Sequence, residues 1–395
     1  MRRFFICTDV PMIQGNAGFN YLIHMAQEIS LHGVQVILMG IGDNVGSYYK
    51  QLKNIKFESI DWKNKKCGKI SRYIEFARLQ IAFGRKCVQR LNNYKITDED
   101  YFIFYPMNIS IIKCIKNKFK CLPNNNFSVV VVEWMQPEDY KLGILDPAYW
   151  CFYIWFHFVV PKIHKIIPIS YRIERFYRKK GNNTFVLRPL IDVNDINIEN
   201  LSGKKNSEKR KFIYTGGAEN KDAIAEMIYA IDSLCEDDKK KIELHLTGVS
   251  YKTIQKLLKK SIFIFNNLVN QKIIILHDWM EYDKLMELYC EMDYLLLARM
   301  SKISTESNFP SKLPESMLCG VVPVCSNVGD YVEIIQNEAI IFEGYKKENI
   351  KNAIVKALSF DNQELKKMKS EIIKKVEFFD IHNDRNNVYS FLTTK

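Results

Sequence analysis

Several features are scarce or missing, and each absence closes off a class of protein. The 395 residues include only 17 glycines and 11 prolines, which excludes collagen-like and low-complexity chains. The longest nearly apolar run, Pro147 to Pro161, is shorter than the ~18 to 20 residues of a membrane span. The opening Met1-Arg2-Arg3-Phe4-Phe5-Ile6-Cys7-Thr8-Asp9 has too short an apolar stretch for a secretory signal and reads as a first strand, so the expected location is cytoplasmic. The ten cysteines form no C-x-x-C pair, and several lie inside apolar segments, where they read as reduced core thiols. The seven histidines have no metal-ligand spacing with Cys or carboxylates, so no metal and no resident cofactor are expected. No helix-turn-helix, zinc-finger or RNA-binding signature is present, which ranks nucleic acid low as a partner.

What is present fits a folded enzyme. Apolar residues make up 47% and charged residues 26%, and the length allows two or three domains at ~150 residues each. The net charge of +12 is placed unevenly: residues 1–195 hold 28 Lys and Arg against 16 Asp and Glu, whereas residues 196–395 hold 29 of each. Much of the excess lies between residues 50 and 120, including Lys63, Lys65, Lys66, Lys69, Arg72, Arg78, Arg85, Lys86 and Arg90. Such asymmetry implies an acidic partner, either an anionic membrane surface or a polyanionic substrate. Within this region Ile70 to Phe83 has apolar residues at helical spacing with Arg between them. It reads either as a membrane-surface helix or as an amphipathic helix with its apolar face in the core.

Both halves alternate short apolar runs with amphipathic helical stretches, the pattern of α/β layers around parallel sheets. Strands are predicted near 3–7, 34–39, 101–105, 128–133, 165–169 and 184–187, then near 212–216, 242–247, 272–276, 293–297, 321–325 and 339–342. Residues 1–193 form a basic first domain, polar residues 194–211 a linker, and residues 212–377 a second domain, each doubly wound. Open sheets of this kind bind ligands beyond the carboxyl ends of their strands, so two facing domains imply a cleft, with site residues in post-strand loops.

The most informative segment is Phe309-Pro310-Ser311-Lys312-Leu313-Pro314-Glu315-Ser316-Met317-Leu318-Cys319-Gly320. Pro310 and Pro314 fit only a helix start, Ser311 suits an N-cap, and Gly320 suits the helix end. A helix start with free N–H groups and a lysine suits a diphosphate. Glu315, one turn on, suits ribose hydroxyls; the competing reading is a well-capped surface helix. Elsewhere, the predicted strand 212–216 runs into Gly216-Gly217, a phosphate-friendly turn, with Lys221 close behind. Arg299 follows the apolar Leu295-Leu296-Leu297-Ala298. Glu133 closes Val129-Val130-Val131-Val132 and is either a cleft carboxylate or a paired structural one. Three imitations are set aside. Gly40 to Gly46 mimics a dinucleotide fingerprint with its last glycine out of place, Asp98-Glu99-Asp100 mimics a metal-binding D-x-D ahead of its strand, and the aromatic run Tyr149 to Phe156 reads as a buried helix, with an acceptor or membrane contact as its alternative.

The segment from Pro310 to Glu315 closely resembles the donor-site signature of retaining glycosyltransferases of family 4, which have the GT-B fold of two Rossmann-like doubly wound domains facing across a cleft. The resemblance implies that Gly216, Gly217 and Lys221 meet the donor phosphates. It also implies that Arg299 and Lys312 lie by the sugar diphosphate, that Trp279 and Met280 lie by the nucleobase, and that Pro310, Ser311, Leu313 and Glu315 complete the donor site. Trp279 and Met280 have an equal alternative as an apolar plug. Gly15 to Gly18 resembles the glycine loop that approaches the donor sugar, and Glu133 an acceptor-side strand end. The tail from Phe378 to Lys395 resembles the helix that returns to pack on the first domain.

The implied reaction is metal-independent, retaining transfer of a hexose-type sugar from a nucleotide diphosphate sugar, UDP before GDP, to a glycan acceptor, lipid-linked, in surface polysaccharide or glycoconjugate synthesis. The implied location is peripheral on the inner face of the cell membrane. One departure stands out: many relatives carry a glutamate eight residues before the position of Glu315, where this chain has Ser307, with Glu306 one residue out of register. A non-catalytic homologue that binds a glycan or protein, and a nucleotide-sugar epimerase of the same fold, are the alternatives.

Overall fold

The computed structural model describes residues 2–42, 45–62, 69–105, 107–194, 209–217 and 221–394, without the side chains of 47, 48 and 69–72. Residues 195–208, most of the expected linker, and the expected membrane-facing Lys63, Lys65 and Lys66 lie outside the described set, as do the side chains of Lys69 and Arg72. The chain divides into two compact units, Met1–Leu190 with Ile381–Lys395, and Ile191–Asp380.

The first unit is built on seven parallel strands in the order β3-β2-β1-β4-β5-β6-β7. These are β1 (Arg3–Pro11), β2 (Gln35–Ile41), β3 (Ile55–Ile60), β4 (Tyr101–Tyr105), β5 (Phe127–Val131), β6 (Lys165–Pro168) and β7 (Asn183–Thr184). Phe4, Phe5, Ile6 and Cys7 of β1 are fully buried. A central parallel strand covered on both faces reads as a continuous apolar run, and this one is legible for that reason. The sequence pattern does not foresee β3. At the sheet edge it carries Lys56 and Glu58, paired at 2.7 Å. Charge is tolerated on an edge strand and masks it in an apolar scan. The predicted strand 128–133 is shorter than expected, ending at Val131, so Glu133 lies two residues beyond it.

The second unit has six parallel strands in the order β10-β9-β8-β11-β12-β13. They are β8 (Arg210–Thr215), β9 (Ile242–Thr247), β10 (Ile274–Leu276), β11 (Tyr294–Leu297), β12 (Val322–Ser326) and β13 (Ile340–Phe342). Arg210 and Lys211 open β8 instead of closing the linker. Both sheets reverse direction of growth at their first strand, β1 and β8, the switch point where open α/β sheets bind ligands. The fold is α/β, with two Rossmann-like units.

The C-terminal helix Val388–Thr393 belongs to the first unit. Tyr389 stacks on His32 with ring centroids 4.3 Å apart, and the buried Lys165 ammonium donates to the Leu392 and Thr394 carbonyls. Among the described residues no helix is long and apolar enough to cross a membrane.

Candidate active site

In the second unit the chain leaves β8 at Thr215 and turns through Gly216, whose φ is +129°, a conformation L side chains rarely adopt. A Cβ there would lie 2.9 Å from Lys312 Nζ, so only glycine lets the ammonium come this close to the backbone. Gly248 lies behind it at φ +80°, where a Cβ would meet the Gly216 backbone at 3.1 to 3.2 Å. The sequence reading names Gly216 and misses Gly248, which stands alone after β9 without a glycine-rich string. Gly217 has open room and a φ outside the left-handed region, so neither sterics nor strain requires glycine there.

A buried carboxylate organises the cations at this turn. Asp222 accepts from Arg299 Nε at 3.0 Å through one oxygen; the other accepts from Lys312 Nζ at 3.2 Å and from the Tyr214 hydroxyl at 2.7 Å. The three charged side chains are 8%, 5% and 15% exposed, in the order Asp222, Arg299, Lys312, so these ion pairs are shielded from water. Burial alone would push the Asp222 carboxyl up, but Lys312, Arg299 and the Tyr214 hydroxyl hold it well below the usual carboxylate range. Lys312 Nζ also lies 4.4 Å from the centroid of the Tyr214 ring. Two cations on one carboxylate leave a net positive charge beside the Gly216 turn.

Lys221 precedes Asp222, and its carbonyl accepts from the Met300 N–H at 3.3 Å, which ties the Lys221 segment to the residue after Arg299. Arg299 lies two residues past the end of β11, and its N–H donates to Ser326 Oγ at 2.8 Å. Asp222 is the site residue that sequence reasoning missed. Its only signal was a carboxylate next to Lys221, which by itself resembles a surface charge.

The signature helix starts directly after Ser311, as foreseen, and is short. It spans Lys312–Leu318, and Ser311 adopts helical dihedrals with no side-chain capping bond, so the expected N-cap role is not seen. Leu313 and Pro310 are buried and anchor the segment, the Pro310 carbonyl accepting from the Leu313 N–H at 3.1 Å. Glu315 is half-buried near Tyr289. Burial first, then the Glu315 carboxylate, pushes the Tyr289 hydroxyl well up, and that hydroxyl shares a 2.7 Å hydrogen bond with Thr215 at the end of β8. Glu315 is thereby brought to the same strand end as Gly216. Ser307 is buried, its hydroxyl donating to the Ile303 carbonyl at 2.6 Å, and the neighbouring Glu306 accepts from Ser301 at 2.6 Å. Trp279 and Met280 follow β10 at the sheet edge. Trp279 is 76% exposed and Met280 half-buried, so Trp279 is not an apolar plug.

The first unit gathers a second cluster at the carboxyl ends of β1, β4 and β5. The helix Ala17–Ser30 begins after Gly15 (φ +83°), capped by Asn16, which accepts from the N–H groups of Gly18 and Phe19. A Cβ on Gly18 would lie 3.1 Å from the Tyr105 hydroxyl oxygen. The Tyr105 hydroxyl is pushed up by burial, then by Glu133 and Asp9, which places both carboxylates near it. Asp9 accepts from Asn108 Nδ2 at 2.8 Å, and burial pushes its carboxyl up to about 6 against that bond. Glu133 was foreseen; Asp9 and Tyr105 were not, because they sit inside strands whose apolar neighbours mask them. Of the foreseen imitations, Asp100 proves structural, holding Arg3 through bonds of 2.9 and 2.7 Å.

The basic stretch 50–120 is partly used up locally. Arg78 and Lys86 lie over the Trp62 ring, Arg78 also pairs with Glu75, and Lys86 donates to the Asp61 carbonyl. The aromatic run forms the helix Pro147–Ile154 and a π-turn, Trp155–Val159. It is not wholly buried as expected: Phe152, Trp155 and Phe156 face the core, whereas Trp150 and Ile154 are each 46% exposed.

Residues 196–375 match the family Glycosyl transferases group 1. The match covers a little less than half of the chain and lies within the second unit. The match encloses the Gly216, Asp222, Arg299, Lys312 and Glu315 cluster, and it classes the protein as a nucleotide-sugar-dependent glycosyltransferase. No curated protein matches the chain in sequence. Solved structures agree in fold. A trehalose-6-phosphate synthase, OtsA, is 11% identical with a TM-score of 0.73, covering 100% of this chain and 99% of its own. Anabaena Alr3699/HepE, solved with UDP and glucose, is 13% identical with a TM-score of 0.72, covering 100% of both chains. A glycosyltransferase from Rickettsia africae ESF-5 is 11% identical with a TM-score of 0.70, covering 99% of this chain and 97% of its own.

Proposed function

We propose that the protein transfers a hexose-type sugar from a nucleotide diphosphate donor to a hydroxyl of a glycan acceptor, with retention at the anomeric carbon. The observation that carries this reading is the buried pair of cations, Arg299 and Lys312, held by Asp222 beside the Gly216 turn. When the bond between the sugar and the β-phosphate breaks, negative charge accumulates on the leaving diphosphate. Cations already fixed by a carboxylate stabilise that charge without reorganising during the step. Lys221, next in the chain to Asp222, adds a third, and together these side chains take the part a metal plays in other transferases.

Glu315 holds the ribose hydroxyls, and exposed Trp279 with Met280 flanks the base. The donor is UDP-linked first and GDP-linked next; the ligand named for the Anabaena structure, UDP, supports that order. In the first unit Gly15 and Gly18 keep the loop after β1 close and small. Asp9, Tyr105 and Glu133 offer polar groups to acceptor hydroxyls, with Asp9 at about 6 suited to exchange a proton near neutral pH. The acceptor is a growing glycan, lipid-linked, used on the cytoplasmic side of a membrane.

The test is release of UDP or GDP from a panel of UDP- and GDP-hexoses, with and without candidate acceptor glycans. Acceptor-dependent release by the wild-type chain, lost in Lys312→Ala, supports transfer. Interconversion of donor sugars without acceptor would replace this reading with epimerisation, and binding of a glycan without any release would replace it with a non-catalytic role.

A further inference from the structure

The first unit exposes an apolar ridge that shares no residue with the site of the proposed reaction. Between β5 and β6, Leu142, Ile144, Leu145, Trp150, Ile154 and Phe158 are all exposed, Leu145 by 80%. Trp150, Ile154 and Phe158 follow one another at four-residue spacing through the helix and its π-turn, while the opposite face packs inward, Phe156 against Trp134, Phe176 and Tyr177. The aromatic run therefore has a core side and an open side, and large apolar side chains concentrate on the open one.

Two details suit that open side to an apolar medium. The Trp150 indole N–H, the ring's only donor, already donates to the Ile144 carbonyl at 2.8 Å. The tight turns below it are closed by the bonds Gly143 N–H to Tyr140, Leu145 N–H to Leu142 and Asp146 N–H to Gly143, each 3.1 Å. Satisfied internally, these polar groups lose no hydrogen bond when the ridge leaves water.

The margin is basic. The helix Lys69–Leu91 joins the ridge through Tyr73, whose hydroxyl donates to Asp146 Oδ2 at 3.2 Å. On its outer face it exposes Ile74 by 64% and Ile81, two turns on, by 67%, with Arg78 between them and exposed Arg85 beyond. Exposed Lys141 borders the ridge at one end and exposed Lys162 at the other. The half of the chain that bears this surface also carries the protein's whole net charge.

We infer that this ridge docks the first unit on an anionic lipid bilayer. The apolar side chains of 142–158 enter the boundary between headgroups and acyl chains, and Arg85, Lys141 and Lys162 meet the lipid phosphates. Self-association through the same face would set like charge against like, which disfavours a second copy as the occupant. The surface shares no residue with the donor site, so its failure would leave the proposed reaction standing.

The experiment is co-sedimentation of the full chain with phosphatidylcholine vesicles and with vesicles that also contain phosphatidylglycerol. The mixed vesicles bind the wild-type chain, and added salt weakens the binding. Leu145→Asp with Ile154→Asp, both at exposed positions, lowers the affinity at least about tenfold. Arg85→Gln and Lys141→Gln each lower it about fivefold. Unchanged UDP affinity and circular dichroism show that the variants fold. Wild-type chain that binds neither vesicle, equal binding by the Leu145→Asp, Ile154→Asp variant, or a wild-type dimer made monomeric by that variant would each overturn the assignment.

Discussion

At the scale of single residues, the account turns on Asp222. It holds Arg299 and Lys312 at 3.0 and 3.2 Å, and its loss leaves a buried guanidinium without its counter-charge. Asp222→Asn keeps the shape and removes the charge. We expect it to destabilise the second unit by about 3 to 5 kcal/mol, read from chemical unfolding followed in that unit. Gly216→Ala strains a backbone at φ +129° and crowds Lys312 Nζ; a cost of about 1 to 3 kcal/mol and weaker UDP binding are expected together. Cations and glycines of the donor turn were legible in the sequence because they stand in a recognisable string after an apolar strand. Asp222, Gly248, Asp9 and Tyr105 were not, since a carboxylate beside a lysine, a lone glycine and polar residues at strand ends gain meaning only from what the fold puts opposite them.

At the scale of elements, the C-terminal helix Val388–Thr393 rests on the helix Ala17–Ser30 through Glu28. That carboxylate accepts from the Tyr389 N–H at 3.3 Å, and burial pushes it up to about 8. A carboxyl that stays protonated in the folded state and ionises in the unfolded one favours folding most below its ordinary value near 4.5. That contribution is lost as pH rises through about 8. The thermal midpoint of the first unit should therefore fall between pH 5 and pH 8 more steeply in the wild-type chain than in Glu28→Gln; parallel curves would remove Glu28 from the docking. Regular elements were readable wherever both faces are covered, as in β1, β4 and β8. The edge strand β3 was hidden by Lys56 and Glu58, and the aromatic run was misread as buried because composition does not reveal which side of a helix meets the core.

At the scale of the whole molecule, two Rossmann-like units divide the labour. The first concentrates the positive charge, the apolar ridge and the Asp9, Tyr105 and Glu133 cluster; the second holds the buried cations that suit a diphosphate. The alternation of strands and helices made this architecture legible, and the half-chain charge imbalance pointed to an acidic surface as partner. The sequence placed that surface in the lysine-rich stretch, where Ile74 and Ile81 are exposed, and did not foresee the further exposed aromatic and aliphatic side chains at 142–158. The omission has a physical origin: charge can be counted along a chain, but an exposed apolar face exists only once its other face has been packed.

The most direct test of the central claim is calorimetric titration of the purified chain with UDP, beside Lys312→Ala and Glu315→Ala. Saturable UDP binding by the wild-type chain is predicted, weakened at least about tenfold in each variant by the loss of a charged hydrogen bond; the thermal midpoint changes little in Glu315→Ala and falls in Lys312→Ala, which leaves buried Asp222 with Arg299 alone. No UDP or GDP binding, or the same affinity in all three proteins, would contradict the donor site described here.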